Sequence, residues 1–184
     1  MLVGNVDWRE LLMLRALRTL RMFRLQKLLF AQGSTHSFAD FFRGFEKLKA
    51  VKEIFGDKTE QVLRNLKVEF TWVNGYMWIN NVNGHLVISS RYLNEGNKTD
   101  IYLDLIHELV HIRQHLEGKE LFDDNYNYVD RPTEIEAYEL TVKEARNLGL
   151  NDKRICEYLK TEWITDDELK RLTKTLGIEY KQQS

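Results

Sequence analysis

Asp100-Ile101-Tyr102-Leu103-Asp104-Leu105-Ile106-His107-Glu108-Leu109-Val110-His111-Ile112-Arg113-Gln114-His115-Leu116 is the stretch on which the reading of this chain turns. Tyr102, Leu105, Ile106, Leu109, Ile112 and Leu116 recur at three- and four-residue spacing, which predicts a helix with an apolar face. On such a helix His107 and His111, four apart, lie one above the other, so their imidazoles can converge on one tetrahedral ion. Glu108 is angled so that its carboxylate can reach a water held by that ion without ligating the ion itself, which is the geometry of a general base. Two histidines and a glutamate can also merely decorate a helix, but mid-helix placement among apolar neighbours favours a zinc site, with Zn2+ as the expected cofactor.

A catalytic zinc takes three protein ligands and keeps a position for water, so a further donor is needed. The longer pattern HExxHxxGxxH would require glycine at position 114 and histidine at position 117, where the chain has Gln114 and Glu117. His115 follows on the same helix, and three ligands strung along one axis do not surround an ion. Cys156 comes after the motif, which excludes arrangements with a cysteine ahead of it.

The remaining donors lie in Asp130-Arg131-Pro132-Thr133-Glu134-Ile135-Glu136-Ala137-Tyr138, where Pro132 predicts a helix start. Gly118 ends the first helix, and a loop of about 13 residues is long enough to turn the chain back. Glu134 and Glu136 differ by about 200° around the new helix, so only one faces inward. Glu134 shares its face with Ala137, Tyr138, Thr141, Ala145 and Leu148, whereas Glu136 shares its face with Glu139, Leu140, Lys143 and Asn147. Glu134 is therefore the expected third ligand, and Glu136 the solvated alternative.

Upstream, Ser37 can cap a helix carrying Phe41, Phe42, Phe45, Leu48 and Val51 toward Gly56, followed by a short helix near residues 58–66. Val68 to Val73, Tyr76 to Ile79 and His85 to Ser89 read as three strands joined by turns at Asn74-Gly75 and residues 81–84. The last of these is expected to offer an edge to an extended peptide. Downstream, residues 152–163 and 166–176 read as helices, the second opened by Thr165 with Glu168 three residues on. Trp163 is expected to anchor them. The fold class is thus α+β: a small three-stranded antiparallel or mixed sheet packed with an HExxH helix and a glutamate helix, with extra helices at both ends.

HELVH and PTEIEAY resemble the gluzincin peptidases, and the sheet before the motif with short helices after it is similar to the compact minigluzincins, over residues 57–150. The resemblance implies a zincin-like fold, zinc ligation by His107, His111 and Glu134, and Glu108 as general base and acid in peptide hydrolysis. It departs at Tyr138, where gluzincins commonly carry an aspartate that supports a ligand histidine; Asp104 or Asp130 is expected to take that part. Tyr126 and Tyr128 are candidates for stabilising an oxyanion. Minimal relatives can be inhibited by their own terminal segments.

Length, charge and composition narrow the function classes. With 27 basic and 28 acidic residues the net charge is −1, which argues against nucleic acid or an anionic membrane as a general partner. Residues 1–33 hold six basic side chains against Asp7 and Glu10, a net +4, and are expected to form a helical arm distinct from a metallopeptidase domain over residues 34–184. Apolar runs near the start, such as Leu11 to Leu14, are far below the roughly 20 residues that span a bilayer, so no transmembrane helix is expected. A single cysteine and no signal-like start point to a cytoplasmic protein. The leading function is a zinc peptidase acting on a peptide or protein substrate. A second class keeps the metal site as a regulatory or autoinhibited protein with little turnover, partner- or nucleic-acid-associated through the basic arm.

Overall fold

The computed structural model describes residues 35–179, so the basic arm expected over residues 1–33 lies outside the described residues, as do residues 180–184. In chain order the elements are β1 (Thr35–Ser37), α1 (Phe38–Phe41), α2 (Lys49–Phe55), α3 (Thr59–Asn65), β2 (Lys67–Thr71), β3 (Met77–Ile79), β4 (Leu86–Ser89), α4 (Ser90–Glu95), α5 (Lys98–Leu116), α6 (Pro132–Asn147), α7 (Asp152–Leu159) and α8 (Asp166–Thr175). Among the described residues no helix is long and apolar enough to cross a membrane.

The sheet is mixed and has four strands in the order β1-β2-β4-β3. It therefore differs from the expected three-stranded arrangement in two ways. Thr35–Ser37 adds an antiparallel strand beside β2, too short to show an alternation in the sequence. Asn74-Gly75 turns the chain but does not close a hairpin, because β4 inserts between β2 and β3, parallel to β2 and antiparallel to β3. Burial explains the insertion: Leu86, Val87, Ile88 and Ser89 are all buried, and a strand without an exposed face belongs in a sheet interior. β3 exposes Trp78 between buried Met77 and Ile79, as an edge strand can. The second expected turn holds, with the Gly84 amide donating to Asn80 and the Asn80 amide to His85. Gly84 has φ +69°, which disfavours any larger residue, and a Cβ there would also meet the His115 ring at 2.8 Å.

The helix expected from Ser37 through Val51 is broken at Gly44, whose φ is +92°. Ser37 makes no side-chain cap bond. The break lets Phe38, Phe42 and Phe45 pack mutually, with Phe38–Phe42 ring centroids 4.6 Å apart and Phe38–Phe45 centroids 5.6 Å apart in an edge-to-face pair. α5 is buried on nearly every side: Ile101, Leu103, Leu105, Ile106, Leu109 and Val110 all lie in the core, while Leu116 is 64% exposed at its end. At roughly 1.5–3 kcal/mol for each fully buried aliphatic side chain, this helix is fixed firmly against the sheet, α2 and α6. The C-terminal helices follow expectation, although α7 ends at Leu159 and Trp163, half exposed, sets its ring against Tyr76 and Tyr128 instead of anchoring them. Thr165 and Glu168 form a reciprocal capping box on α8.

Candidate metal centre

α5 starts at Asn97, whose side chain accepts from the amides of Thr99 and Asp100, and ends where the Lys119 amide donates to the Gln114 carbonyl across Gly118 at φ +73°. That reversal sends the chain through residues 119–131 and returns it as α6, opened by Pro132. The first turn of α6 lies against the middle of α5 and puts Glu134 beside both histidines.

His107 Nε2 and His111 Nε2 are 3.0 Å apart, and Glu134 Oε2 lies 3.2 Å from the first and 3.5 Å from the second. All three residues are buried, and their donor atoms lie within 4.8 Å of one another. A tetrahedral ion with bonds of about 2.0–2.1 Å separates its donors by about 3.3–3.4 Å, the edge of the tetrahedron, so the three spacings suit a metal ion.

Hydrogen bonding sharpens this fit. Gln114, fully buried, donates through Nε2 to the Thr133 carbonyl at 2.9 Å and to Glu136 at 2.8 Å. Those two acceptors fix the amide so that Oε1 faces His111 Nδ1 at 2.7 Å, and that nitrogen must carry the hydrogen. When the ring is neutral, His111 Nε2 presents its lone pair to His107 and to the carboxylate. Among the described residues, buried Glu134 Oε2 is approached by no polar group but the two imidazoles. Converging acceptors in a dry interior need positive charge among them, from a proton on His111 or from a metal ion, and a donor set of two imidazoles and one carboxylate suits zinc and related divalent ions.

Protonation tendencies agree with such a cluster. Burial lowers His107, whereas at His111 burial, the largest single effect, is outweighed by Glu134, Glu108 and Gln114 together, which hold the ring up to about 9. Glu134 is pulled well below the usual carboxylate range, its histidine contacts overcoming the effect of burial. Burial pushes Glu108 up to about 8. It is a carboxyl that keeps its proton at neutral pH unless positive charge comes close.

Glu108 does not join the triad. It lines, with His107, a cleft of about 280 Å³ between α5, the start of β3 and the C-terminal helices. Tyr128 and Tyr138 also line it, with hydroxyls 2.9 Å apart, and the Tyr138 ring packs on His107 at 4.5 Å. Tyr126 is exposed and is not a lining residue.

Several site expectations need correction. Neither Asp104 nor Asp130 orients an imidazole: Asp104 accepts from the Tyr92 and Tyr158 hydroxyls, and Asp130 pairs with Arg171. Glu136 is not a solvated bystander, because Arg113, Gln114 and Lys119 all donate to it. The β4 edge expected to meet a peptide is interior, and the edge beside the cleft is β3, where Met77 and the preceding Tyr76 line the cavity. Gln114 is the polar residue that sequence reasoning missed. An amide one turn past His111, on a helix this apolar, is the signal that could have found it. His115 packs on the Gly84 turn and stands outside the triad. No family model, curated protein or solved structure matches the chain.

Proposed function

We propose that this chain is a zinc-dependent peptidase of the gluzincin type, with a zincin-like arrangement in which His107, His111 and Glu134 hold the ion and Glu108 serves as general base and acid. The observation that carries the reading is the convergence of Glu134 Oε2 on both histidine Nε2 atoms, with Glu108 left free of the triad in the adjoining cleft. A zinc ion held there would supply Lewis acidity, polarising a carbonyl and making water acidic enough to attack near neutral pH.

The chain's own residues would divide the remaining work. Glu108, from a buried position where its carboxyl binds a proton readily, takes a proton from the attacking water and returns it to the leaving amine. His111 is held in one tautomer by Gln114, and His107 is held in place by the Tyr138 ring. Tyr128, whose hydroxyl stays neutral because burial raises it, can donate to developing charge on an oxygen. β3, an edge strand among the described residues, is placed to pair along the cleft with an extended peptide.

The test is metal content and turnover on the full chain prepared without an affinity tag. About one zinc per chain is expected, with hydrolysis of a mixed peptide library abolished by a chelator and restored by zinc. Glu108→Gln should keep its zinc and lose several orders of magnitude in kcat. Hydrolysis indifferent to the chelator, or loss of zinc from Glu108→Gln as complete as from His107→Ala, overturns the proposal.

A further inference from the structure

The proposed peptidase chemistry uses His107 and Glu108 and leaves the rest of the cleft unexplained. Beside them in its lining stands Asp104, one turn before His107 on α5. The Tyr92 hydroxyl donates to its Oδ2 at 2.5 Å and the Tyr158 hydroxyl to its Oδ1 at 2.8 Å. Both donors are neutral, and no cation pairs with Asp104 among the described residues. A carboxylate has about four acceptor positions, so two hydroxyl donors do not exhaust those of Asp104, which lines the cavity. Glu157, also lining the cleft, has no ion-pair partner either among the described residues. The other charges nearby are already engaged: Asp100 by Arg154, and Lys160 by Asp166 at 3.0 Å.

Much of the remaining lining is aromatic, and its rings stand at steep angles to each other. Tyr76 meets Tyr92 at 4.8 Å and 65°, and meets Trp163 at 5.3 Å and 75°. Trp163 in turn meets Tyr128 at 6.4 Å and 82°. Rings set edge to face present π faces in several directions around one space, which is the construction that holds an organic cation. Trp163 is 52% exposed at the rim, so this space is open to solvent and to a ligand. A half-buried charge satisfied only by hydroxyls, beside several π faces, is a good way to receive a positive group.

We propose that this cleft is a recognition pocket for an organic cation of the substrate, an arginine or lysine side chain, with Asp104 as its charge partner and Tyr76, Tyr92 and Trp163 as its walls. Arginine is the better fit, since a guanidinium stacks on aromatic faces while donating to a carboxylate. The inference rests on the peptidase reading only in making that cation part of a peptide. A free terminal amine carries the same charge and is the other source to separate.

Binding is measured without turnover, by following the backbone amide resonances of the cleft-lining residues Tyr76, Met77, Tyr92 and Thr161 of the zinc-loaded full chain in NMR titrations. The probes are N-acetylarginine amide, N-acetyl-lysine amide, N-acetylnorleucine amide, N-acetylglutamate amide and norleucine amide with its free amine. The acetylated arginine probe is expected to bind at least tenfold more tightly than acetylated norleucine, and acetylated glutamate not at all. Asp104→Asn and Trp163→Ala should each lose most of that preference. Trp163→Ala decides alone if Asp104→Asn does not fold, because an exposed rim residue can be removed without opening the core. Equal binding of the acetylated arginine and norleucine probes, or preference for glutamate, overturns the pocket. A preference for the free-amine probe over acetylated arginine overturns the side-chain assignment. Selective binding without chelator-sensitive hydrolysis leaves the pocket standing and removes the peptidase reading, whereas hydrolysis without cation preference does the reverse.

Discussion

The two flanks of the histidine pair are built on opposite plans. Toward α6, polar groups are chained: Arg113 and Lys119 donate to Glu136, Gln114 donates to Glu136 and to the Thr133 carbonyl, and Gln114 accepts from His111. Toward the cleft, polar groups are left wanting: Asp104 has only hydroxyl donors, Glu108 is pushed up by burial, and His107 Nδ1 has no partner. A satisfied network fixes positions, and an under-satisfied one stays available for a ligand. The first flank is organised to hold, the second to receive.

The holding flank breaks hardest at the triad. His107→Ala, His111→Ala and Glu134→Ala should each weaken zinc binding by well over the 10–100-fold typical of losing an orienting partner. A competition titration against a chromogenic chelator measures this, with circular dichroism to show that each variant stays folded. A Glu134→Ala protein that binds zinc as tightly as the parent would detach α6 from the centre and leave two ligands on one helix.

A smaller loss is expected one bond further out. Gln114→Leu keeps the volume but leaves His111 Nδ1 and the Thr133 carbonyl without their partner, which should cost about 1–3 kcal/mol of stability. Zinc affinity should fall about 10–100-fold, since the imidazole is then free to change tautomer. Glu136→Gln should produce a milder form of the same loss, because it reaches His111 only through Gln114. Zinc affinity unchanged in Gln114→Leu would show that the chain of bonds serves packing alone.

How much of this is legible in the sequence depends on how local each feature is. His107, Glu108 and His111 are related by the pitch of one helix, and Glu134 by the phase of a second, so periodicity alone brings them out. Glu136 reads as solvated because the phase argument sees only one helix. Its partners Arg113, Gln114 and Lys119 come from the end of α5 and the reversal after it, and their reach depends on how the two helices lie together. Strand order fails for a related reason: Asn74-Gly75 reports a turn, not which strand will occupy the place beside β2. The tyrosines around Asp104 come from α4 and α7, on either side of α5 in sequence, and nothing in their spacing joins them.

The smallest effect tests the receiving flank through stability. Burial dominates at Asp104 and raises it from 3.8 to about 6, against the lowering effect of the Tyr92 and Tyr158 hydroxyls. Asp100, one turn earlier on α5 and paired with Arg154 of α7, adds a smaller push in the same direction. An acid whose folded value lies above its unfolded value holds more proton in the folded state between pH about 4 and 6. Stability therefore falls as pH rises through that window, and the penalty is complete above it. The rise from 3.8 to about 6 sets a ceiling of about 3 kcal/mol, and a difference of about 1–3 kcal/mol is expected. Asp104→Asn removes the titration, and its amide can still accept from one tyrosine and donate to the other. Urea unfolding of both proteins from pH 4 to 7 should give curves that diverge in favour of Asn as pH rises. Parallel curves would mean that Asp104 is solvated well enough to need no cation. Divergence, in a variant that also loses the arginine probe, would show a charge kept at the expense of stability for what it binds.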